Sequence, residues 1–294
     1  MSRYDARVQI RWADLDAQQH VNNTLYADYL ETARAQWLTD GPAEPLLREG
    51  AIVVRHEIEY LEQMEYSTEP LNVAVGVVQL GGARFVLDYE LTLGGTRVAH
   101  ARSVMCPFDF TTGGPRRLTP VERAYLSEFR TEAESLETID APALEGRGTA
   151  WDLWTRWSDM DLYGHVNNVR FLDYAQEARL ALGLDVSPVM TRPGMPGFDE
   201  LPEAEQEGRW LLARMDVDYI AQVRFRTTPH RVLTAPVKVG ESAVTFVSEL
   251  IDPTARTDVL ARVTSVIVHG GPDGEATSLP DDVRQRLEEL VVND

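Results

Sequence analysis

The chain has 294 residues, 44% hydrophobic and 26% charged, a globular composition that excludes wholesale disorder and is long enough for one large domain or two medium ones. Its net charge of −19, split as −9 over residues 1–144 and −10 over 145–294, repels nucleic acid and anionic membrane surfaces, so neither is expected as a partner. The opening "MSRYDARVQIRW" lacks an apolar signal core and no stretch is long enough to span a bilayer, so a cytoplasmic protein is expected.

The first predicted element is a short alternating strand, "ARVQIRW". The decapeptide "DLDAQQHVNN", Asp14 to Asn23, follows, and a helix is expected from about Asn23, with Leu25, Tyr29, Ala33 and Trp37 at helical spacing. Four strands come next: "AIVVRHEIEYL", "PLNVAVGVVQL", "ARFVLDYELTL" and "TRVAHARSVMCPF", with hairpin turns at Gly81-Gly82 and Gly94-Gly95. The one cysteine, Cys106, has no disulfide partner in the chain and reads as a buried strand thiol. Residues 111–150 read as a connector with one short helix in "TTGGPRRLTPVERAYLSEF" and an acidic run.

The order then repeats. "AWDLWTRW" is a strand, "DMDLYGHVNN" spans Asp159 to Asn168, and a helix carries Leu172, Ala175, Ala178 and Leu182. Four strands ("RWLLARMDVDYI", "HRVLTAPVKV", "SAVTFVSELI", "DVLARVTSVIVH") precede a short helix in "LPDDVRQRLEEL". Arg11–Arg34 and Arg156–Arg179 align without a gap at 12 of 24 identities, where unrelated segments would share roughly one or two. "RHEIEYLEQM" and "RMDVDYIAQV" then align at an offset of 159 rather than 145, so the second copy carries about fourteen extra residues, assigned to a loop in "TRPGMPGFDELPEAEQEG", Thr191 to Gly208. The expected fold class is α+β, one unit built twice: an N-terminal domain 1–130, a linker 131–148 and a C-terminal domain 149–294.

The decapeptide is the chemical signal. Asn22 or Asn23 sits where an N-cap belongs, so the first amides of the helix face back towards the loop of Asp16 and His20. A carboxylate beside preorganised N–H donors suits hydrolysis of an activated acyl group: Asp16 orients or deprotonates a water, or attacks the carbonyl, while the amides hold the oxyanion and His20 positions the acid or polarises the carbonyl. A thioester needs little else, because a thiol with a pKa of about 8.5 leaves as thiolate. Plainer roles stand beside this: Asp14 and Asp159 bonded to loop amides or arginines, the asparagine pairs as helix caps, and His20 or His165, taken singly, as polar core residues. Asp14, Asp16 and His20 include metal-ligand types, but no second histidine or cysteine stands at ligand spacing, and "TTGGPRR" lacks the setting and lysine of a phosphate loop, so no metal and no cofactor are expected.

"IRWADLDAQQHVNNTLYADYLETAR" and "TRWSDMDLYGHVNNVRFLDYAQEAR" resemble the opening of hotdog-fold acyl-CoA thioesterases of the 4-hydroxybenzoyl-CoA thioesterase-like superfamily. The resemblance covers both copies and implies two tandem hotdog domains, each a long central helix wrapped by an antiparallel sheet, forming an internal pseudo-dimer as in plant acyl-carrier-protein thioesterases. It places the catalytic acid at Asp16 and Asp161 and the oxyanion amide near Asn23 and Asn168, with His20 and His165 beside them. Where the plant-type enzymes have an asparagine two residues before the histidine this chain has Gln18 and Tyr163, and where they have a catalytic glutamate it has Gln63 and Gln222. Gln63, Gln222 and Tyr163 are read as substrate-binding residues, the glutamines holding a water, with ordinary strand-end hydrogen bonding as the plainer role of Gln63 and Gln222.

The resemblance implies an acyl-CoA substrate, with an acyl-carrier-protein thioesterase, a non-catalytic acyl-CoA-binding sensor or partner subunit, and a hydratase as the alternatives. Coenzyme A is a polyanion, and the densest basic stretches that could meet it are "VRFRTTPHR", Val223 to Arg231, and Arg116-Arg117. The copies differ at Gln18-Gln19 against Tyr163-Gly164, which predicts unequal sites, and association into a homo-oligomer is compatible with the resemblance.

Overall fold

The structure is a computed structural model that describes residues 3–187, 190, 197, 209–254, 258–271 and 274–293. The chain divides into two units, Met1–Glu137 and Thr138–Asp294. The first runs β1 (Tyr4–Val8), a 3-10 turn (Trp12–Asp14), a second 3-10 turn (Asn23–Leu25) leading into α1 (Tyr26–Thr39), α2 (Pro45–Arg48), β2 (Ala51–Tyr60), β3 (Leu71–Leu80), β4 (Phe85–Leu93), β5 (Thr96–Asp109), β6 (Gly114–Pro115) and α3 (Pro120–Glu128). Its main sheet is antiparallel in the order β1–β3–β4–β5–β2. Val73, Val75 and Val77 on β3 and, opposite them, Leu87, Tyr89 and Leu91 on β4 share one face directed into the core, as a strand period of two requires, while Val86 and Asp88 on the other face of β4 are also buried. α1 packs on β1 and β3, presenting Tyr29, Leu30, Ala33 and Trp37, all buried.

The turns follow their residues. Gly94 and Gly95 adopt φ of +57° and +86° in a two-residue loop between paired Leu93 and Thr96, the left-handed pair that glycine supplies without strain. At the C-terminal end of α1, Trp37 stacks on Tyr125 at 5.7 Å and its carbonyl accepts from Tyr125 Oη at 2.7 Å. Those contacts dock the short helix α3, which starts on a reciprocal capping box between Thr119 and Glu122.

The second unit contains β7 (Thr149–Leu153), a 3-10 turn (Trp157–Asp159), α4 (Arg170–Val186), β8 (Arg209–Tyr219), β9 (His230–Val239), β10 (Ala243–Ile251), β11 (Val259–Gly270) and α5 (Asp281–Glu289). Its antiparallel order β7–β9–β10–β11–β8 repeats that of the first. Even the irregularities recur: the ladder bulges at Val54 and Val78 in one unit and at Ala213 and Val237 in the other, 159 residues on in both cases. An extra residue at matching positions in two sheets bends both strands in the same places, and duplication explains the coincidence.

Two boundaries differ from the sequence expectation. The first strand of each copy stops at Val8 and Leu153 rather than running to the tryptophan. The reason is local: the Asp14 side chain accepts from Arg11 N–H at 2.8 Å and Asp159 from Arg156 N–H at 2.7 Å, so these amides bond within a turn instead of a ladder. The segment 131–148 is anchored at both ends: Thr131 N–H donates to Val77 at 3.0 Å, and Leu144 is fully buried with Leu233, Ala235, Val247 and Val292. The loop expected at Thr191 to Gly208 lies, apart from Gly197, outside the described residues. Among the described residues no helix is long and apolar enough to cross a membrane.

Candidate active site

Each decapeptide folds as a small closed loop on a buried anchor. Asp14 is 2% exposed and accepts from Arg11 N–H, Arg11 Nε and Tyr29 Oη, each at 2.8 Å. Burial raises its pKa, but hydrogen bonds from the Arg11 side chain and backbone and from Tyr29 outweigh that and hold the carboxyl below its ordinary range. Asp159 repeats the arrangement with Arg156 N–H and Tyr174 Oη, both at 2.7 Å. These first aspartates are structural, as their plainer reading expects. Burial and the adjoining carboxylate together push both tyrosine hydroxyls up, so they donate as neutral phenols.

Beyond the anchor the chain doubles back. Leu15 bridges Val21 and Met160 bridges Val166. Asp16 N–H donates to the His20 carbonyl at 2.8 Å and Asp161 N–H to that of His165 at 2.8 Å, so acid and imidazole are brought to the base of one tight turn in both copies. Gln19 takes φ +67° at the turn where its counterpart Gly164 takes +78°. Asp16 Oδ1 accepts from Gln18 N–H at 2.8 Å; Asp161 Oδ1 accepts from Tyr163 N–H at 2.8 Å and His165 N–H at 3.1 Å. One carboxylate oxygen is thus fixed by backbone, which orients the acid. His20 Nδ1 is buried and has no hydrogen-bond partner among the described residues. Burial lowers the pKa of His165; Asp161 opposes this and the charge of Arg224 adds to it, so the site favours the neutral imidazole.

Counting amides at the helix start isolates one donor. Val21 N–H bonds Met64 O at 2.7 Å, Asn22 N–H bonds Asp14 O at 2.9 Å and Leu25 N–H bonds Asn22 O at 3.0 Å. Thr24 N–H is taken by Asn22 Oδ1 at 3.1 Å, the N-cap bond expected of the asparagine pair. Only the Asn23 amide is left without an acceptor among the described residues of this turn. In the second copy Val166, Asn167, Val169 and Arg170 are accounted for in the same way, and the Asn168 amide remains. The carbonyls of Asn23 and Asn168 accept from Tyr60 Oη at 2.9 Å and Tyr219 Oη at 2.8 Å, which holds the peptide that follows each spare amide.

A pocket of about 750 Å³ opens beside the first loop, lined in part by Trp12, Asp16, Gln18, His20, Glu65 and Tyr66. Asn23 and Gln63 lie outside that lining, and the Gln63 and Gln222 side chains are exposed. Tyr163 is half-buried in the turn above Asp161. Sequence reasoning missed the aromatic rim: Trp12 meets Tyr66 edge-on at 5.3 Å and Trp157 meets Phe225 at 6.1 Å. The signal was present, since an aromatic follows the loop-anchoring strand end at the same place in both copies. Cys106 is buried, and burial pushes its thiol up, away from nucleophilic use. In the basic stretches, Arg116 is held by Glu122 at 2.7 Å, Arg226 by Asp252 at 2.9 Å and Arg231 by Asp152 at 2.9 Å.

A family model described as the thioesterase-like superfamily matches the chain twice, over residues 10–132 and 155–287. No curated protein sequence matches it. Among solved structures, an acyl-ACP thioesterase from Bacteroides thetaiotaomicron is similar with a TM-score of 0.62 at 17% identity, covering 90% of this chain and 96% of that one. A 12:0-ACP thioesterase from Umbellularia californica gives a TM-score of 0.67 at 12% identity, covering 90% and 97%. At these identities the likeness is one of fold.

Proposed function

The chain belongs to the thioesterase-like superfamily and is a thioester hydrolase, and on that premise we propose that it hydrolyses acyl-CoA, releasing the free carboxylic acid and coenzyme A. The carboxylate of Asp16, or of Asp161, takes a proton from a water whose oxygen attacks the thioester carbonyl. The amide of Asn23, or of Asn168, receives the negative charge that develops on the carbonyl oxygen. Collapse breaks the carbon–sulfur bond and expels the thiolate, and the proton held by the carboxyl leaves with the products. His20 and His165 position the acid or polarise the carbonyl, and Gln63, Gln222 and Tyr163 contact water or substrate. Direct attack by the carboxylate, through an anhydride that water then opens, uses the same residues.

The observation that carries this reading is the amide count: in both copies the one donor left over at the helix start belongs to the residue that follows a loop holding an oriented carboxylate. The spare N–H shares its peptide with the carbonyl of Asn22 or Asn167, which accepts from Leu25 or Arg170 N–H at 3.0 Å, and a donor held in this way is preorganised for an oxyanion and is of little use to a cation. The structurally similar proteins named above act on acyl groups carried by ACP, so acyl-ACP is the competing substrate. Thiol release should be measured with acyl-CoA of graded chain length and with acyl-ACP. Turnover of acyl-CoA is expected; tight binding without thiol release would leave a sensor, loss of an enoyl group without thiol release a hydratase, and release from acyl-ACP alone would replace the substrate.

A further inference from the structure

Of the three arginines in "VRFRTTPHR", two are spent on structure. Arg226 donates to Asp252 at 2.9 Å and to the carbonyl of Thr228 at 3.0 Å, and Arg231 donates to Asp152 at 3.0 and 2.9 Å. Arg224 is exposed and takes part in no ion pair among the described residues. Its place is fixed by the residue before it, since the carbonyl of Val223 receives Val166 N–H at 2.7 Å. That bond ties the segment after β8 to the loop, and the charge of Arg224 is felt at His165, beside Asp161.

The equivalent position in the first copy is Glu65. It follows Met64, whose carbonyl receives Val21 N–H at 2.7 Å, and it lines the pocket with Asp16 and His20. The anchoring frame is the same: an aromatic comes next in each copy, Tyr66 against Trp12 and Phe225 against Trp157. One frame therefore carries opposite charges at matched positions, a difference of two unit charges beside two otherwise similar carboxylates.

We propose that this position sets the charge preference of each site, Arg224 binding an anionic group of the substrate and Glu65 turning such groups away. The anion is a phosphate of the coenzyme or a carboxylate on the acyl group; both suit a guanidinium, which donates in a planar fork. The inference rests on the acyl-CoA reading and makes the Asp161 site the one that favours a thioester bearing an anion at this point. Glu65 leaves the Asp16 site better suited to thioesters without charge near this point.

The test uses the full chain in an Asp16→Asn background, so that turnover reports the Asp161 site. Butanoyl-CoA, butanoyl-pantetheine and succinyl-pantetheine are compared, the last two lacking phosphate and the last bearing a carboxylate. Arg224→Glu should raise KM for the anionic substrate that Arg224 contacts about three- to tenfold more than KM for butanoyl-pantetheine, as for a partly exposed ion pair. An effect on butanoyl-CoA alone names the phosphate, and one on succinyl-pantetheine names the carboxylate. Arg224→Gln should give a smaller shift in the same direction. In an Asp161→Asn background, Glu65→Gln should lower KM for the same anionic substrate. Equal KM shifts for all three thioesters, or none, overturn the proposal. Calorimetry of coenzyme A itself separates the two readings: weaker binding by Arg224→Glu in a protein that hydrolyses nothing would keep the phosphate contact and remove the hydrolase, whereas turnover unaffected by Arg224→Glu would do the reverse.

Discussion

Replacing Asp14 with asparagine keeps the side-chain volume while removing its charge and one acceptor. In the native loop Oδ2 takes Arg11 N–H and Tyr29 Oη, and Oδ1 takes Arg11 Nε, all at 2.8 Å. An asparagine can aim its oxygen at only one side. The Arg11 side chain is 64% exposed and can turn to water, so the oxygen is expected to stay with Arg11 N–H and Tyr29, and the exposed ion pair contributes little to the loss. Two bonds to a charged acceptor then become bonds to a neutral one, a difference of roughly 1 kcal/mol each, or about 2 kcal/mol in all. In urea, with a slope of about 2 kcal/mol per molar, the unfolding midpoint of Asp14→Asn should fall by roughly 1 M at pH 7. The pH dependence has a definite sign. The folded carboxyl is held below its usual range, so its contribution is complete above the unfolded pKa of about 3.9 and is lost as pH falls through the lower folded value. The gap between wild type and Asp14→Asn should therefore close in acid. An unchanged midpoint at pH 7, or a gap that persists undiminished in acid, would refute the reasoning.

Gln19→Gly should stabilise the protein by about 0.5–1 kcal/mol in thermal unfolding, because Gln19 holds φ +67° at a strain of roughly 1–2 kcal/mol, partly offset by the unfolded-state entropy of glycine; a destabilised variant would contradict the turn. Thr119→Ala, which removes the N-cap of α3, should lower stability by about 1 kcal/mol, read from the same melt. Asp16→Asn and Asp161→Asn should differ in their effect on acyl-CoA turnover, with the larger loss at Asp161, and equal losses would count against unequal sites.

Most of the sheet was legible because its strands alternate apolar and polar residues between glycine turns, and the second copy repeats the lesson at a fixed offset. The helix start was legible from the asparagine pair. What escaped depends on partners distant in sequence. "RWAD" offers Asp14 to a loop amide or an arginine but does not say that the strand will end for it, since that requires Tyr29 to close over the carboxylate. The basic stretch read as a patch because pairing of Arg226 and Arg231 depends on Asp252 and Asp152 on other elements. The exchange of Glu65 for Arg224 was visible in the aligned copies, yet it acquires meaning only once Met64 and Val223 are seen to anchor the two loops.

The central claim, that an oriented carboxylate activates water beside the spare helix amide, is tested most directly by kcat/KM for acyl-CoA in the Asp16→Asn plus Asp161→Asn double variant, with folding checked by circular dichroism. A fall on the order of 10²- to 10⁴-fold in a folded protein is predicted. Turnover within a few-fold of wild type would contradict it.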